Sequence, residues 1–84
     1  MRGRDLGTLP VELKHLRYAD AASQHGSFRK AADALGVKQS NLSRRIRTLE
    51  ERLGYRLFER TNGGVRPTPV GRDFLQGARR ILDD

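Results

Sequence analysis

The chain has 84 residues, with 17 lysines and arginines against 10 aspartates and glutamates, so its formal net charge at pH 7 is +7. The absence of cysteine excludes disulfides and thiolate zinc sites, and the sequence has no run of about 18 apolar residues to span a membrane. This composition predicts one small intracellular domain whose basic excess either meets a polyanion, most often nucleic acid, or only maintains solubility.

Residues 1–10 contain two glycines and a proline and show no periodicity, which predicts an irregular tail. Arg2 and Arg4 lie in this tail, either in solvent or along a phosphate backbone. The tail has no apolar segment of the kind found in secretory signals, so it is not expected to direct export.

The first predicted helix covers residues 11–25. Its apolar residues keep the three- and four-residue spacing of one buried face, namely Leu13, Leu16, Ala19 and Ala22. Gly26 is placed to end the helix, and His25 in the last turn suits the negative end of the helix dipole. A metal or catalytic role for His25 is disfavoured, because the other histidine, His15, lies ten residues earlier.

A second, short helix is predicted over Phe28–Leu35, with Ser27 as its N-cap. Its inner face includes the adjacent alanines Ala31 and Ala32, which permit close approach by another helix. Gly36 ends it, and only two residues follow before the next periodic segment. Two helices joined by a tight glycine turn predict a helix-turn-helix.

The third predicted helix, Gln39–Leu53, has two opposed faces. One is an unbroken apolar stripe of Leu42, Ile46, Leu49 and Leu53. At about 100° per residue, Ser40, Arg44 and Arg47 fall on the opposite side, flanked by Ser43. The leucines are expected to face the protein, and the serine–arginine face is expected to face solvent or a partner.

A hairpin is predicted after this helix. Residues 57–60 and 64–67 read as short strands, and Asn62-Gly63 between them is a strong turn signal, with positive φ expected at both turn positions. The hairpin carries Arg60 and Arg66. A hairpin directly after the second helix of a helix-turn-helix is a wing.

The last predicted helix begins with Thr68 at the N-cap and Pro69 at the first helical position. It reaches the chain end without a stop glycine, so it is expected to be truncated there. Its apolar stripe is wider than one small domain needs, and it consists of Val70, Phe74, Leu75, Ala78, Ile81 and Leu82. We interpret the stripe as a dimerisation surface, with capping of the domain's own core as the alternative.

Positive charge is concentrated in the middle of the chain. Residues 38–66 hold eight basic and three acidic residues, and none of the three acids lies in the first half of the third helix. In that half, Arg44 can pair with guanine, and Gln39 or Asn41 with adenine. Ser40 and Ser43 can bond to phosphates or to base edges, and the first backbone amides favour a phosphate. Ordinary surface polarity explains any one of these residues, but not their combination with a preceding turn and a following wing.

An enzyme is not predicted. The sequence has no cysteine, no serine beside a histidine and an acid, and no phosphate-binding glycine loop. Glu50 and Glu51 are adjacent, so on a helix they point about 100° apart and cannot act as a carboxylate pair. No catalytic residue, metal or cofactor is expected.

Four segments together resemble one family: "SFRKAADAL", "QSNLSRRIRTLE", "LGYRLFER" and "PTPVG". They are similar to the N-terminal DNA-binding domain of LysR-type transcriptional regulators. The resemblance implies a mostly α winged helix-turn-helix over residues 11–67, after the tail of residues 1–10. It also implies a dimerising linker helix over residues 68–84 and an interrupted dyad operator on duplex DNA. It further implies a separate inducer-binding domain, so the chain is interpreted as a DNA-binding fragment, or a truncated regulator, that acts at the nucleoid in the cytoplasm.

Contacts with DNA are expected at particular residues, and the resemblance itself carries over Gln39, Ser40, Asn41, Ser43 and Arg44, and Arg60 with its wing neighbours. Expected base and phosphate contacts of the third helix and its turn are Lys38, Gln39, Ser40, Asn41, Ser43, Arg44 and Arg47. Expected backbone contacts of the second helix and wing are Ser27, Arg29, Arg60, Thr61 and Arg66. The chain departs from the family at Lys38, where a small cap residue is common, and at Ser40 and Asn41, often proline or alanine. Ala19 stands where a bulky aromatic is common, which predicts a thinner core.

The leading hypothesis is a sequence-specific duplex-DNA binder with the third helix in the major groove. Two rivals remain open. One is a winged helix that binds DNA or RNA by charge alone, and the other is a protein-interaction module that uses the last helix.

Overall fold

The computed structural model describes residues 12–83. The elements in chain order are α1 (Leu13–His25), α2 (Phe28–Leu35), α3 (Gln39–Leu53), β1 (Phe58–Thr61), β2 (Gly64–Pro67) and α4 (Pro69–Asp83). The predicted mostly α fold, with a two-stranded wing between the third and fourth helices, is confirmed. The predicted tail of residues 1–10, and Val11 as the first helical residue, lie outside the described residues.

Glycines end the first three helices, as predicted. Gly26, Gly36 and Gly54 have φ of 64°, 72° and 85°, and each donates its N–H back to a carbonyl of the last helical turn. Since side chains other than glycine rarely adopt such angles, the glycines set where each helix stops. At the other end of α2, the Ser27 Oγ accepts the N–H of Lys30 at 3.1 Å.

The start of α1 is unusual because a histidine takes part in its cap. The backbone N–H of Glu12 donates to the Nδ1 atom of His15 at 3.3 Å. His15 is only 2% exposed and is the one buried polar side chain among residues 12–83. Sequence reasoning considered His15 only as a distant partner for His25 and missed this role.

The core lies where α1, α2, α3 and the wing meet. Leu42, Ile46 and Leu49 of α3 are fully buried, as their stripe predicts. Alanines on α1 and α2 let the helices approach closely, since Ala19, Ala22, Ala31 and Ala32 all belong to the core. The wing closes this core with Phe58, whose ring meets Phe28 edge-on at 5.8 Å and 87°.

The two strands of the wing are antiparallel, with Thr61 opposite Gly64. Asn62-Gly63 is therefore the two-residue loop, and β1 begins one residue later than predicted. The expectation of positive φ at both loop positions is wrong for Gly63. Positive φ falls instead on Gly64, at 147°, where a Cβ would overlap the carbonyl oxygen of Gly26. We attribute this difference to a tertiary contact: β2 packs on the α1–α2 turn, where the Val65 N–H donates to Gly26 O at 3.0 Å.

Thr68 joins the wing to α4. Its Oγ1 accepts the N–H of Gly71 at 2.9 Å and donates to the carbonyl of Arg56 at 2.7 Å, which confirms the predicted N-cap. Its own N–H donates to the carbonyl of Leu57 at 2.9 Å. Gly71 is buried, and a Cβ there would overlap the same Leu57 carbonyl oxygen. The first turn of α4 thus rests directly on the main chain at the base of the wing.

Helix α4 packs along α1, and Arg79 pairs with Asp20 across that contact at 3.6 Å. Leu75 and Ala78 are 5% and 3% exposed within the single chain. Both belong to the predicted dimerisation surface, but the structure uses them in the domain's own core, because the inner side of the stripe faces α1. No helix among residues 12–83 is long and apolar enough to cross a bilayer.

Candidate nucleic-acid interface

The first half of α3 presents a continuous polar and basic surface. Of the seven residues predicted to contact DNA from this helix and its turn, six are exposed and Ser43 is half-buried; the exposed ones are Lys38, Gln39, Ser40, Asn41, Arg44 and Arg47. The opposite side of the helix is the buried stripe of Leu42, Ile46 and Leu49. The predicted orientation of the helix is confirmed, while the contacts themselves stay a prediction.

The N-terminus of α3 suits an anion. Lys38 is its N-cap residue but makes no side-chain cap, and the first turn contains no acid. The first N–H groups of any helix lack intrahelical acceptors and carry the positive end of the helix dipole. A phosphate oxygen placed here would meet these N–H groups and the Lys38 ammonium together.

The wing carries a second basic surface. Arg60, Thr61 and Arg66 are all exposed. Arg66 is paired across the strands, since its Nε donates to Glu59 Oε2 at 3.2 Å, and this pair follows from the Glu59–Arg66 register. Arg60 stands opposite Val65 and makes no ion pair with any residue of 12–83, so its guanidinium is free to meet a phosphate.

The predicted contacts at the start of α2 differ from each other. Arg29 is exposed and available. Ser27 is half-buried, and its Oγ is already the acceptor that caps α2. The hydroxyl proton of Ser27 can still be donated, so the residue can serve the helix and a phosphate at once.

A groove of about 580 Å³ separates α3 from the wing. Ser43, Arg47 and Glu50 line it from α3, spaced four and three residues apart on one helix face. Tyr55 and Arg60 line it from the wing side. Arg47 and Arg60 thus lie on the two sides of this groove, whose lining also includes the carboxylates of Glu50, Glu51 and Glu59.

Glu50 was missed as a structural group. Its Oε2 accepts the backbone N–H groups of Leu57 at 2.7 Å and Phe58 at 3.2 Å. Sequence reasoning considered it only as half of a catalytic pair. Its place beside Leu49 and Leu53, at the edge of the apolar stripe, was the available signal, because an acid there faces a neighbouring segment rather than open water.

The imidazole of His15 is a buried titratable group of the domain. Burial lowers the pKa of the His15 imidazole from its ordinary 6.5, the Glu12 carboxylate opposes this, and the positive charges of Arg52, Arg45 and Lys14 add to it. His15 lies beneath the surface. Residues 12–83 contain no group of three or more side chains that could hold a metal.

Comparison with known proteins identifies the family. Residues 13–72 match the sequence profile of the bacterial regulatory helix-turn-helix proteins of the lysR family. The chain belongs to the LysR family. Similar relatives are named as regulators. The chain is 47% identical over 74 residues to the HTH-type transcriptional regulator BenM of Acinetobacter baylyi. It is 43% identical over 76 residues to the small neutral protease regulatory protein of Streptomyces coelicolor.

These matches cover 88% and 90% of the chain but 24% and 23% of the relatives, so the chain spans about a quarter of their length. Solved LysR structures have the same fold. A complex titled BenM_DBD with catB site 1 DNA matches at a TM-score of 0.84 and 48% identity, over 87% of this chain and 82% of that one. CbnR, a LysR family transcriptional regulator, matches at a TM-score of 0.83 and 38% identity, over 87% of this chain and 25% of that one.

Proposed function

We propose that the chain is the DNA-binding domain of a LysR-type transcriptional regulator and binds duplex DNA sequence-specifically. The observation that carries this is the exposed face of α3, where Gln39, Ser40, Asn41 and Arg44 stand together and no acid interrupts the first turn. An α-helix fits the major groove, and these residue types are those that read base edges. The similar chain solved with catB site 1 DNA supports the same assignment.

Base reading and phosphate binding belong to different residues in this proposal. Arg44 offers a bidentate fork to guanine, and Gln39 or Asn41 offers an amide to adenine. Lys38, Arg29 and the wing residues Arg60 and Arg66 contact phosphates, which set position but carry little sequence information. Ser27, Ser43, Arg47 and Thr61 complete the contact surface.

The proposed active form is a homodimer joined through α4. Val70 and Ile81 are 43% and 58% exposed, and Phe74 and Leu82 are half-buried on the same helix. Leu75 and Ala78 of the predicted stripe are not part of this surface, because they are in the domain core. Two copies related by a twofold axis would read the two halves of an interrupted dyad site.

Regulation follows from occupancy, because a protein bound at a promoter either recruits polymerase or blocks it. No catalytic step and no cofactor belongs to this proposal. An inducer would act through a further domain of the whole protein, of which this chain spans about a quarter in its relatives. The place of action is the cytoplasm, where a bacterial chromosome is accessible.

Selection of duplexes from a random library, followed by titration, tests the proposal. The selected duplex and a scrambled duplex are each titrated at two salt concentrations. We expect tight binding to the selected sequence and weaker, more salt-dependent binding to the scrambled one. Equal affinities for both would contradict sequence-specific reading and favour a binder that uses charge alone.

A further inference from the structure

Glu50 connects α3 to the main chain of the wing. One carboxylate oxygen, Oε2, accepts two successive backbone N–H groups, those of Leu57 at 2.7 Å and Phe58 at 3.2 Å. The Glu50 side chain is 16% exposed, so water competes weakly for these bonds. Arg56 lies at 3.9 Å from the same oxygen and is itself 74% exposed, so it adds little to the bond.

The position of these two N–H groups gives the bond its consequence. Leu57 and Phe58 are 0% and 3% exposed and form the base from which the wing projects. A buried N–H without an acceptor costs free energy. The base of the wing is therefore most stable in the position where Glu50 accepts both N–H groups. The bonds to Glu50 are charge-assisted, hence stronger than ordinary backbone bonds.

Other contacts hold the wing to different parts of the fold. Val65 N–H donates to Gly26 at the α1–α2 turn, and Leu57 C=O accepts from Thr68 at the start of α4. Glu50 provides a hydrogen-bonded connection to α3 itself. On α3, Glu50 follows Ser43 and Arg47 on the face that lines the groove.

Resting on the function proposed above, we propose that Glu50 is a positioning residue for DNA binding. Its carboxylate fixes the direction of the wing relative to α3. Arg60 at the wing then reaches the phosphate backbone while the first half of α3 is in the major groove. Glu50 touches no DNA in this proposal and acts through the main chain of Leu57 and Phe58.

Two substitutions separate geometry from charge. Glu50→Asp keeps the charge but is one methylene shorter and draws the carboxylate away from the two N–H groups. Glu50→Gln removes the charge but keeps an acceptor oxygen at the same reach. Glu51→Asp and Glu51→Gln are matched controls, because Glu51 is the exposed neighbour on the same helix and no bond to the wing depends on it.

The first measurement is amide hydrogen exchange on the free protein, which needs no DNA. In Glu50→Asp we expect exchange at Leu57 and Phe58 to speed up by about tenfold or more, with the α1–α3 amides unchanged. In Glu50→Gln we expect a few-fold increase at the same two amides, because a neutral acceptor is weaker. Unchanged exchange at both amides would overturn the inference. If Glu50→Asp does not fold, Glu50→Gln decides by the same criterion.

The second measurement is a double-mutant cycle with Arg60→Ala on the selected duplex. In the wild type and in Glu50→Gln, Arg60→Ala should flatten the slope of log K against log salt by about one. In Glu50→Asp, the Arg60→Ala change should flatten this slope by less than half as much, because the wing is no longer held against the DNA backbone. The Glu51 variants should retain the full Arg60 effect.

The outcomes distinguish the two proposals. The positioning role would be overturned, in favour of simple charge, by either of two results. One is that Arg60→Ala flattens the salt slope fully in Glu50→Asp. The other is that this flattening is lost in Glu50→Gln alone. Absence of sequence preference in the wild type would overturn the proposed function, while the exchange results would still decide whether Glu50 fixes the wing.

Discussion

At the residue scale, the guanidinium groups on α3 and the wing differ in what they are expected to do. Arg44 is exposed on the face opposite the leucine stripe, which places it for base reading. Arg60 is exposed on the wing, which places it for the backbone. The helical period was enough to predict which face of α3 carries Arg44, because it is a local property of the sequence, whereas the backbone contact of Arg60 was implied by the resemblance; both contacts stay predictions.

Replacing Arg44 by alanine should weaken binding to the selected duplex by about 1–3 kcal/mol and relax discrimination at one base pair. The cause is the loss of a bidentate fork to a base edge. Titration of selected and single-substituted duplexes measures it. Arg80→Ala is the control, since it removes the same charge from the exposed side of α4. An Arg44→Ala variant with unchanged affinity and unchanged discrimination would show that α3 is not the reading helix.

His15 predicts a pH dependence of stability. Burial lowers its pKa below 6.5 in the folded chain, so between that lowered pKa and 6.5 the unfolded chain binds the proton and the folded chain does not. Stability is therefore complete above about pH 6.5 and falls as the pH drops below it. A proton on Nδ1 would also break the bond from Glu12 N–H.

Urea unfolding at several pH values tests this dependence. His15→Gln should remove it, because glutamine keeps an acceptor and does not titrate in this range. His25→Gln, at the exposed end of the same helix, should keep it. A wild type whose stability is constant from pH 7 to pH 5 would contradict the prediction.

At the element scale, helix ends were predictable and loop geometry was not. The bounds of α2 and α3 agree with the prediction because Ser27, Gly36 and Gly54 are local signals. The turn signal at Asn62-Gly63 placed the loop correctly but assigned the wrong φ to Gly63. The contact of β2 with Gly26, distant in sequence, decides the backbone there, and no local pattern contains that information.

This contact makes two neighbouring glycines respond differently to the same change. Gly64→Ala should destabilise the domain by roughly 1–3 kcal/mol or more, from positive φ and from overlap with Gly26 O. Gly63→Ala should change stability little, because a Cβ there meets open space. Thermal or urea unfolding of the two variants measures the difference. Equal stabilities would mean that β2 does not rest on the α1–α2 turn as described.

At the scale of the whole molecule, the sequence overestimated the surface left for a second copy. The apolar stripe of α4 is continuous, so spacing alone could not tell which side faces α1. Leu75 and Ala78 turn inward, and Val70 and Ile81 remain outside. For the same reason Glu50 could not be assigned to the wing, since its bonds depend on how the chain returns after Gly54.

The proposed dimer predicts that Ile81→Lys lowers the self-association constant while leaving the monomer folded, because Ile81 is 58% exposed. Placing an ammonium at an apolar contact desolvates it without a partner. Sedimentation across a concentration series measures the effect. Gln76→Lys introduces the same charge at another exposed position of α4 and should leave association unchanged. A wild-type chain that stays monomeric at high micromolar concentration would count against dimerisation by this segment alone.

The close contact between Gly71 and the Leu57 carbonyl has a consequence for the operators that the proposed dimer would bind. With no side chain between them, the first turn of α4 rests directly on the main chain of Leu57, and this contact helps to set the inclination of the helix. In a twofold assembly that inclination fixes how far apart the two DNA-reading helices stand. A single methyl group at position 71 would tilt the axis, and the preferred number of base pairs between half-sites would change although no residue facing the DNA had been altered.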